Sequence, residues 1–318
     1  MTSKNRNQDI FHIIIRCFVF FMVPMLFGCA SMSSLVDTTK KVDIPLISSG
    51  NAYKKKIGIL APQSNSSDRG METARLLHAR VTELLSKNEG VLMIAYDDPE
   101  APPFLAAPPR SSALNAVDSL ILAEKSRREG FLACVGVAVK DVSVLEKKSG
   151  FAWFKNTKET ARIRMTVDVY GSRTGAKIMC DDFIREVDLE PGERQKVEED
   201  DYATIDNVRD AVSDAGKDIA KAIEKVLKDE PWRGFVVAVE DGKAVISSGS
   251  EVGISVGDVF EVQDVYGTIQ GPDGNRYRIP GTAVDEIEIV SVSAGESRGI
   301  SVLEKQIDVG NTIQVRRN

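Results

Sequence analysis

The sequence predicts an α/β (α+β) sheet domain with packed helices, followed by a small all-β, barrel-like C-terminal domain. Strand-length apolar runs alternate with helix-period stripes between residues 55 and 228. Within residues 159–172, Ile163, Met165, Val167 and Val169 alternate with Arg164, Thr166, Asp168 and Tyr170, the mark of a sheet with one covered face. After Pro231 the helical period vanishes, and Val, Ile, Gly and acidic residues take over.

The first 28 residues carry Lys4, Arg6 and Arg16 against Asp9, then an uncharged run from Cys17 to Gly28. That is the layout of an export signal. The run is shorter than the roughly 20 apolar residues a spanning helix needs. Its end, Leu26-Phe27-Gly28-Cys29, resembles a bacterial lipoprotein lipobox, with Phe27 where small or β-branched residues are usual. The resemblance implies cleavage before Cys29, lipid on its sulfur and, with Ala30 next, sorting to the outer membrane. Residues 29–53, rich in Ser, Thr and Lys, read as a tether.

KKIGILAP (55–62) reads as a buried strand closed by Pro62. A helix over 71–87 follows, with Ala74, Leu77, Val81 and Leu84 as its apolar stripe, then a strand over 91–98. Residues 99–109 hold five of the twelve prolines and are expected as a stiff, exposed loop. Ser111 and Ser112 are positioned to cap a helix over 112–128, with Leu114, Val117, Leu120 and Ile121 inward. Strands over 131–146, 159–172 and 175–189 form a meander. A helix over 203–228, with Ile205, Val208, Val212, Ile219, Ile223 and Val226 in register, closes the unit. This order, with IGILAP and VDVYGSRTGAKI, resembles the TolB N-terminal and CsgG-like fold of bacterial envelope proteins over residues 54–228.

In the C-terminal part, 232–318, Asp241-Gly242 marks a hairpin turn. Further strands are expected at 284–294 and 296–304. Ile254-Ser-Val-Gly-Asp-Val-Phe-Glu-Val is echoed by Ile307-Asp-Val-Gly-Asn-Thr-Ile-Gln-Val, which predicts internal packing symmetry. Residues 242–315 resemble the C-terminal domain of the flagellar assembly protein FlgT, whose members pair such a domain with a TolB-like one. The resemblance implies a ring-forming, non-catalytic role.

The chain has net charge −6, and removing a leader of three cations and one acid makes the remainder more acidic. With no basic cluster, nucleic acid is not the expected partner. His12 falls in the leader, leaving His78 on a helix, where partial exposure is expected. Cys134 and Cys180 lie two strands apart, too far for a disulfide, and are expected as buried free thiols. No GxSxG, P-loop, GxGxxG, HExxH or CxxC occurs. No metal or cofactor is therefore expected, and an enzyme is the minority reading.

The leading expectation is a non-enzymatic outer-membrane lipoprotein, lipid-anchored and facing the periplasm. It would be an assembly or structural factor for an envelope machine, with envelope or flagellar proteins, or further copies of itself, as partners. The alternative is a CsgG-like secretion pore component. Its candidate membrane hairpin, between Lys140 and Glu159, contains LEKKSGFAWFKNTK, whose lysines favour a surface loop. Phe151, Trp153 and Phe154 are the candidate interface, since Trp and Phe anchor contacts.

Overall fold

A computed structural model describes residues 53–64, 68–111, 116–149, 156–272 and 274–316. The chain enters the first sheet at β1 (Lys55–Ile59), which is followed by β2 (Gln63–Ser64), α1 (Asp68–Leu85) and β3 (Val91–Ala95). Next come the helices α2 (Pro103–Ala106) and α3 (Ser119–Arg128). A meander of β4 (Ala133–Ser149), β5 (Asn156–Gly171) and β6 (Lys177–Asp188) leads to α4 (Glu193–Glu198) and α5 (Asp206–Asp229). The strand order is β3-β1-β4-β5-β6, with β2 also paired to β4. β1 is parallel to β3 and β4, whereas β4, β5 and β6 are antiparallel.

Strand alternation sorts the side chains between two faces. Ile57, Ile59, Val135, Val137, Ile163, Met165 and Val167 are buried with Leu77 and Val81 of α1 and Val208, Val212, Ile219 and Ile223 of α5. The amphipathic stripes of both long helices face this core as the sequence predicts. On the opposite face Leu60, Cys134 and Tyr170 pack with Phe104 and Leu105 of α2, Leu122 of α3, and Phe131.

Several expectations change here. The proline-rich segment is not wholly an exposed loop, because Pro103 opens α2 and its neighbours Phe104 and Leu105 are buried. Proline suits a first helical turn, whose N–H has no intrahelical partner, and the apolar pair supplies the burial. The next helix starts at Ser119, not 112. Its cap is Asp118, which accepts from the Ile121 amide at 3.1 Å. Ser112 and Leu114 lie outside the described residues; Val117 precedes the helix and bridges to Arg110. Cys134 and Cys180 are both free, but only Cys134 is buried, since Cys180 points to the uncovered face of edge strand β6. His78 is buried against Tyr96, the rings 5.0 Å apart, because its helix position faces the sheet.

The C-terminal strands are β7 (Arg233–Glu240), β8 (Lys243–Ile246), β9 (Val259–Gln270), β10 (Arg276–Val292), β11 (Ser297–Ser301) and β12 (Thr312–Gln314). They close into an antiparallel barrel in the order β10-β11-β8-β7-β12-β9. The predicted turn joins β7 to β8, with Asp241 and Gly242 both at positive φ. β10 begins at Arg276, earlier than the period of the sequence suggests, because its first residues pair with β9 across register shifts.

The predicted internal symmetry is present in detail. The carboxylate of Asp258 accepts from the Ser255 amide at 2.8 Å, and the Asn311 amide oxygen accepts from the Asp308 amide at 2.8 Å. Gly257 and Gly310, at φ of +91° and +95°, donate at 2.8 Å to the carbonyls of Ile289 and Val236 respectively. Those two residues in turn donate to the carbonyls of Asp258 and Asn311. The strands that follow, β9 and β12, then pair with each other.

Sheet and barrel fall in one compact unit. Tyr53, just before β1, packs in the barrel core against Trp232 and Phe260, the rings tilted and 4.8 and 5.4 Å apart. Lys56 pairs with Glu251 at 2.7 Å, and the Ser247 hydroxyl donates to the Arg127 carbonyl at 2.6 Å.

Candidate functional site

The residues singled out from the sequence, Leu26, Phe27, Gly28, Cys29, Phe151, Trp153 and Phe154, lie outside the described residues. The structure does fix the strands that precede and follow the last three in sequence. β4 and β5 pair in one continuous ladder out to Ser149 and Asn156. The segment expected as a surface loop is therefore largely strand, and residues 150–155 join the far end of a long hairpin. From Lys140 onward β4 pairs only with β5, a stretch of about 34 Å at strand rise. Periodicity missed this extension because Glu146, Lys147, Lys158 and Glu159 break the alternation, yet they pair across strands and helices.

Glu146 stands directly opposite Glu159, a repulsive cross-strand pair. Arg194 of α4 resolves it, reaching Glu146 at 2.7 Å, Glu159 at 3.0 Å and Glu198 at 2.8 Å. On the other face Lys147 pairs with Glu186 at 2.7 Å, and Lys158 with Asp188 at 2.5 Å. The hairpin thus carries ion pairs on both faces close to its end. A strand pair facing lipid needs one continuous apolar face, which this one lacks. Among the described residues no helix is long and apolar enough to cross a membrane.

A second feature lies on the face of the sheet that α2 and α3 pack against. A cavity of about 660 Å³ opens beside β2, α2 and the C-terminal end of β5, with Arg110, Lys140, Asp168, Tyr170 and Lys177 among its lining. β1 is where the parallel connections diverge, running to β3 on one side and β4 on the other, a place where α/β sheets form crevices. Asp168 accepts from the Tyr170 hydroxyl at 3.2 Å and pairs with Lys177 at 2.9 Å. Lys177 also lies over the Tyr170 ring, 5.4 Å from its centroid. Burial and then the Asp168 carboxylate push the Tyr170 phenol up. A hydrogen bond to Asp168, followed by burial, pushes the Cys180 thiol up. At neutral pH both keep their protons, so the cavity, which Tyr170 lines and Cys180 does not, offers hydrogen-bond donors and fixed charge, and neither group is a ready nucleophile.

His78 is held elsewhere. Burial lowers its pKa, and its Nε2 is sealed without a hydrogen-bond partner, so no hydroxyl is poised for it to deprotonate.

No protein-family model matches the sequence, and no curated protein matches it. Among solved structures, the hypothetical protein CT253 from Chlamydia trachomatis is 10% identical with a TM-score of 0.35, covering 56% of this chain and 99% of its own. Lipoprotein GNA1162 from Neisseria meningitidis is 11% identical with a TM-score of 0.29, covering 55% of this chain and 99% of its own. The PelC dodecamer from Paraburkholderia phytofirmans is 11% identical with a TM-score of 0.30, covering 54% and 87%.

Proposed function

We propose that this chain is a non-enzymatic outer-membrane lipoprotein, anchored through Cys29 and facing the periplasm, that acts by protein contact in an envelope assembly. The observation that carries the reading is Leu26-Phe27-Gly28-Cys29 at the end of an uncharged apolar run. Between Cys29 and Tyr53, the first residue described, the chain could extend about 80 Å, enough to hold the body well clear of the bilayer. At the far end of the β4–β5 hairpin, Phe151, Trp153 and Phe154 supply the apolar anchors such a contact needs. A flagellar basal-body ring is the specific assembly that the FlgT-like C-terminal pattern suggests, with other copies of the chain or flagellar proteins as neighbours. The ion pairs on both faces of the hairpin count against the secretion-pore alternative, and the protonated Tyr170 and Cys180 favour binding over catalysis.

The test is fractionation of wild type and Cys29→Ser from a Gram-negative host. Wild type should require detergent for release from outer membranes, and Cys29→Ser should lose lipid labelling and leave that fraction. Identical behaviour of the two, with both soluble in the periplasm, would sink the anchor. Pull-down with Trp153→Ala alongside wild type then tests the contact, because loss of a co-purifying envelope protein is the expected result.

A further inference from the structure

A cleft of about 550 Å³ separates the C-terminal half of α3 from the barrel, and it is lined by more positive charge than it can neutralise. Glu124, Arg127 and Arg128 come from α3, and Arg278 comes from β10 on the opposite wall. Arg127 is only 7% exposed, and Arg278 is half-buried. Each uses one guanidinium nitrogen to brace a carbonyl: Arg127 donates to Ser172 at 2.7 Å and Arg278 to Gly310 at 3.1 Å. Among the described residues neither forms an ion pair. Neither contributes a sealed, unpartnered nitrogen, and both side chains line the cleft.

Burying a guanidinium without a counter-charge is costly, and buried charges in folded proteins are ordinarily paired. Here the nearest carboxylate is that of Glu124, which is exposed and too far to pair. The same two costs bear on the Arg127 guanidinium. Burial, then the neighbouring Arg278 charge, pulls its pKa down to about 9. A group bearing two or more negatively charged oxygens would relieve both costs at once, because the planar guanidinium fork matches carboxylate and phosphate geometry.

We propose that this cleft is a binding site for an oxyanion, the carboxylate or phosphate group of a small ligand, held between Arg127 and Arg278. One arginine belongs to a helix of the sheet layer and the other to the barrel, so the ligand ties the two together. The site is independent of the lipid anchor and of the hairpin contact, and stands or falls without them.

The experiment is calorimetric titration and thermal unfolding of the detergent-solubilised full chain. The probes are inorganic phosphate and succinate, with sodium chloride at matched ionic strength as control. At least one probe should bind saturably and raise the unfolding temperature beyond the salt control. Phosphate alone would assign a phosphorylated ligand, and succinate alone a carboxylate. Arg278→Gln should weaken binding about tenfold or more, the worth of a lost charge-assisted hydrogen bond. Glu124→Gln, at an exposed position that leaves the fold intact, should tighten it severalfold by removing a repulsive carboxylate. No saturable binding of either probe, or unchanged affinity in Glu124→Gln together with Arg278→Gln, overturns the proposal.

Discussion

His78 shows what a single buried side chain does to the whole. It is the sole histidine among the described residues, packed edge-on to Tyr96 with Nε2 sealed. Burial lowers its folded pKa below the ordinary 6.5, and the Asp97 charge offsets this only in part. The unfolded chain therefore binds a proton first as pH falls, so stability attributable to this group is full above about 6.5. It declines as pH drops through the window down to the folded pKa. Urea midpoints measured from pH 7 down to pH 5, a range that brackets the ordinary histidine value of about 6.5, should fall in wild type. In His78→Phe, which keeps a ring against Tyr96, that slope should flatten. An unchanged slope would assign the acid sensitivity to carboxylates instead. Nothing at sequence level marked this histidine as buried, because the apolar stripe of α1 was drawn through Ala74, Leu77 and Val81 while His78 borders the same face.

At the scale of elements, the two Gly-Asp/Asn turns of the barrel are the clearest case of sequence made visible. The echo between residues 254–262 and 307–315 was legible because each copy needs glycine at positive φ and a short polar side chain to hold the turn. Asn311→Ala removes one such bond and its link to Asp264 at 3.2 Å, and should cost about 1–2 kcal/mol. Asp258→Ala should cost more, about 2–3 kcal/mol, because the Tyr53 hydroxyl also depends on Asp258. Equilibrium urea unfolding checks both, and equal losses would show that the Tyr53 link contributes nothing. The long helices were equally legible, since burial there follows a 3.6-residue period. What stayed hidden had local signals that pointed the wrong way. Prolines masked α2 although Phe104 and Leu105 sit inside it, and serines at 111–112 outbid Asp118 as the cap. Charges near residues 146–159 concealed a ladder whose stability comes from cross-strand and helix partners, which no short window of sequence contains. The same limit applied to the cation-rich cleft, which needs α3 and β10, about 150 residues apart, to be brought together.

For the molecule as a whole, the decisive feature is how firmly the sheet and the barrel are joined. Tyr53 precedes the first strand of the sheet yet lies between Trp232 and Phe260 in the barrel core. The Lys54 amide donates to the Val252 carbonyl at 2.9 Å, and the Arg278 amide donates to the Thr174 carbonyl at 2.9 Å. Gly130, at φ +73°, closes against the Ser247 carbonyl so tightly that a Cβ would stand 1.8 Å from it. These contacts make unfolding of one part expose apolar surface of the other, which is the condition for a single cooperative transition. The two parts can be watched separately, because every described α-helix lies in the sheet part and Trp232 lies in the barrel. With Trp153→Phe as background, Trp232 is the remaining tryptophan of the chain. Its fluorescence and the helical far-UV signal should then trace superimposed urea transitions. Tyr53→Ala, expected to cost about 3 kcal/mol for a lost buried ring, should move both transitions to lower urea together. Two separated midpoints in the parent, or a shift of the fluorescence alone in Tyr53→Ala, would mean that the barrel folds independently and that the junction, including its arginine cleft, is a contact between separable bodies.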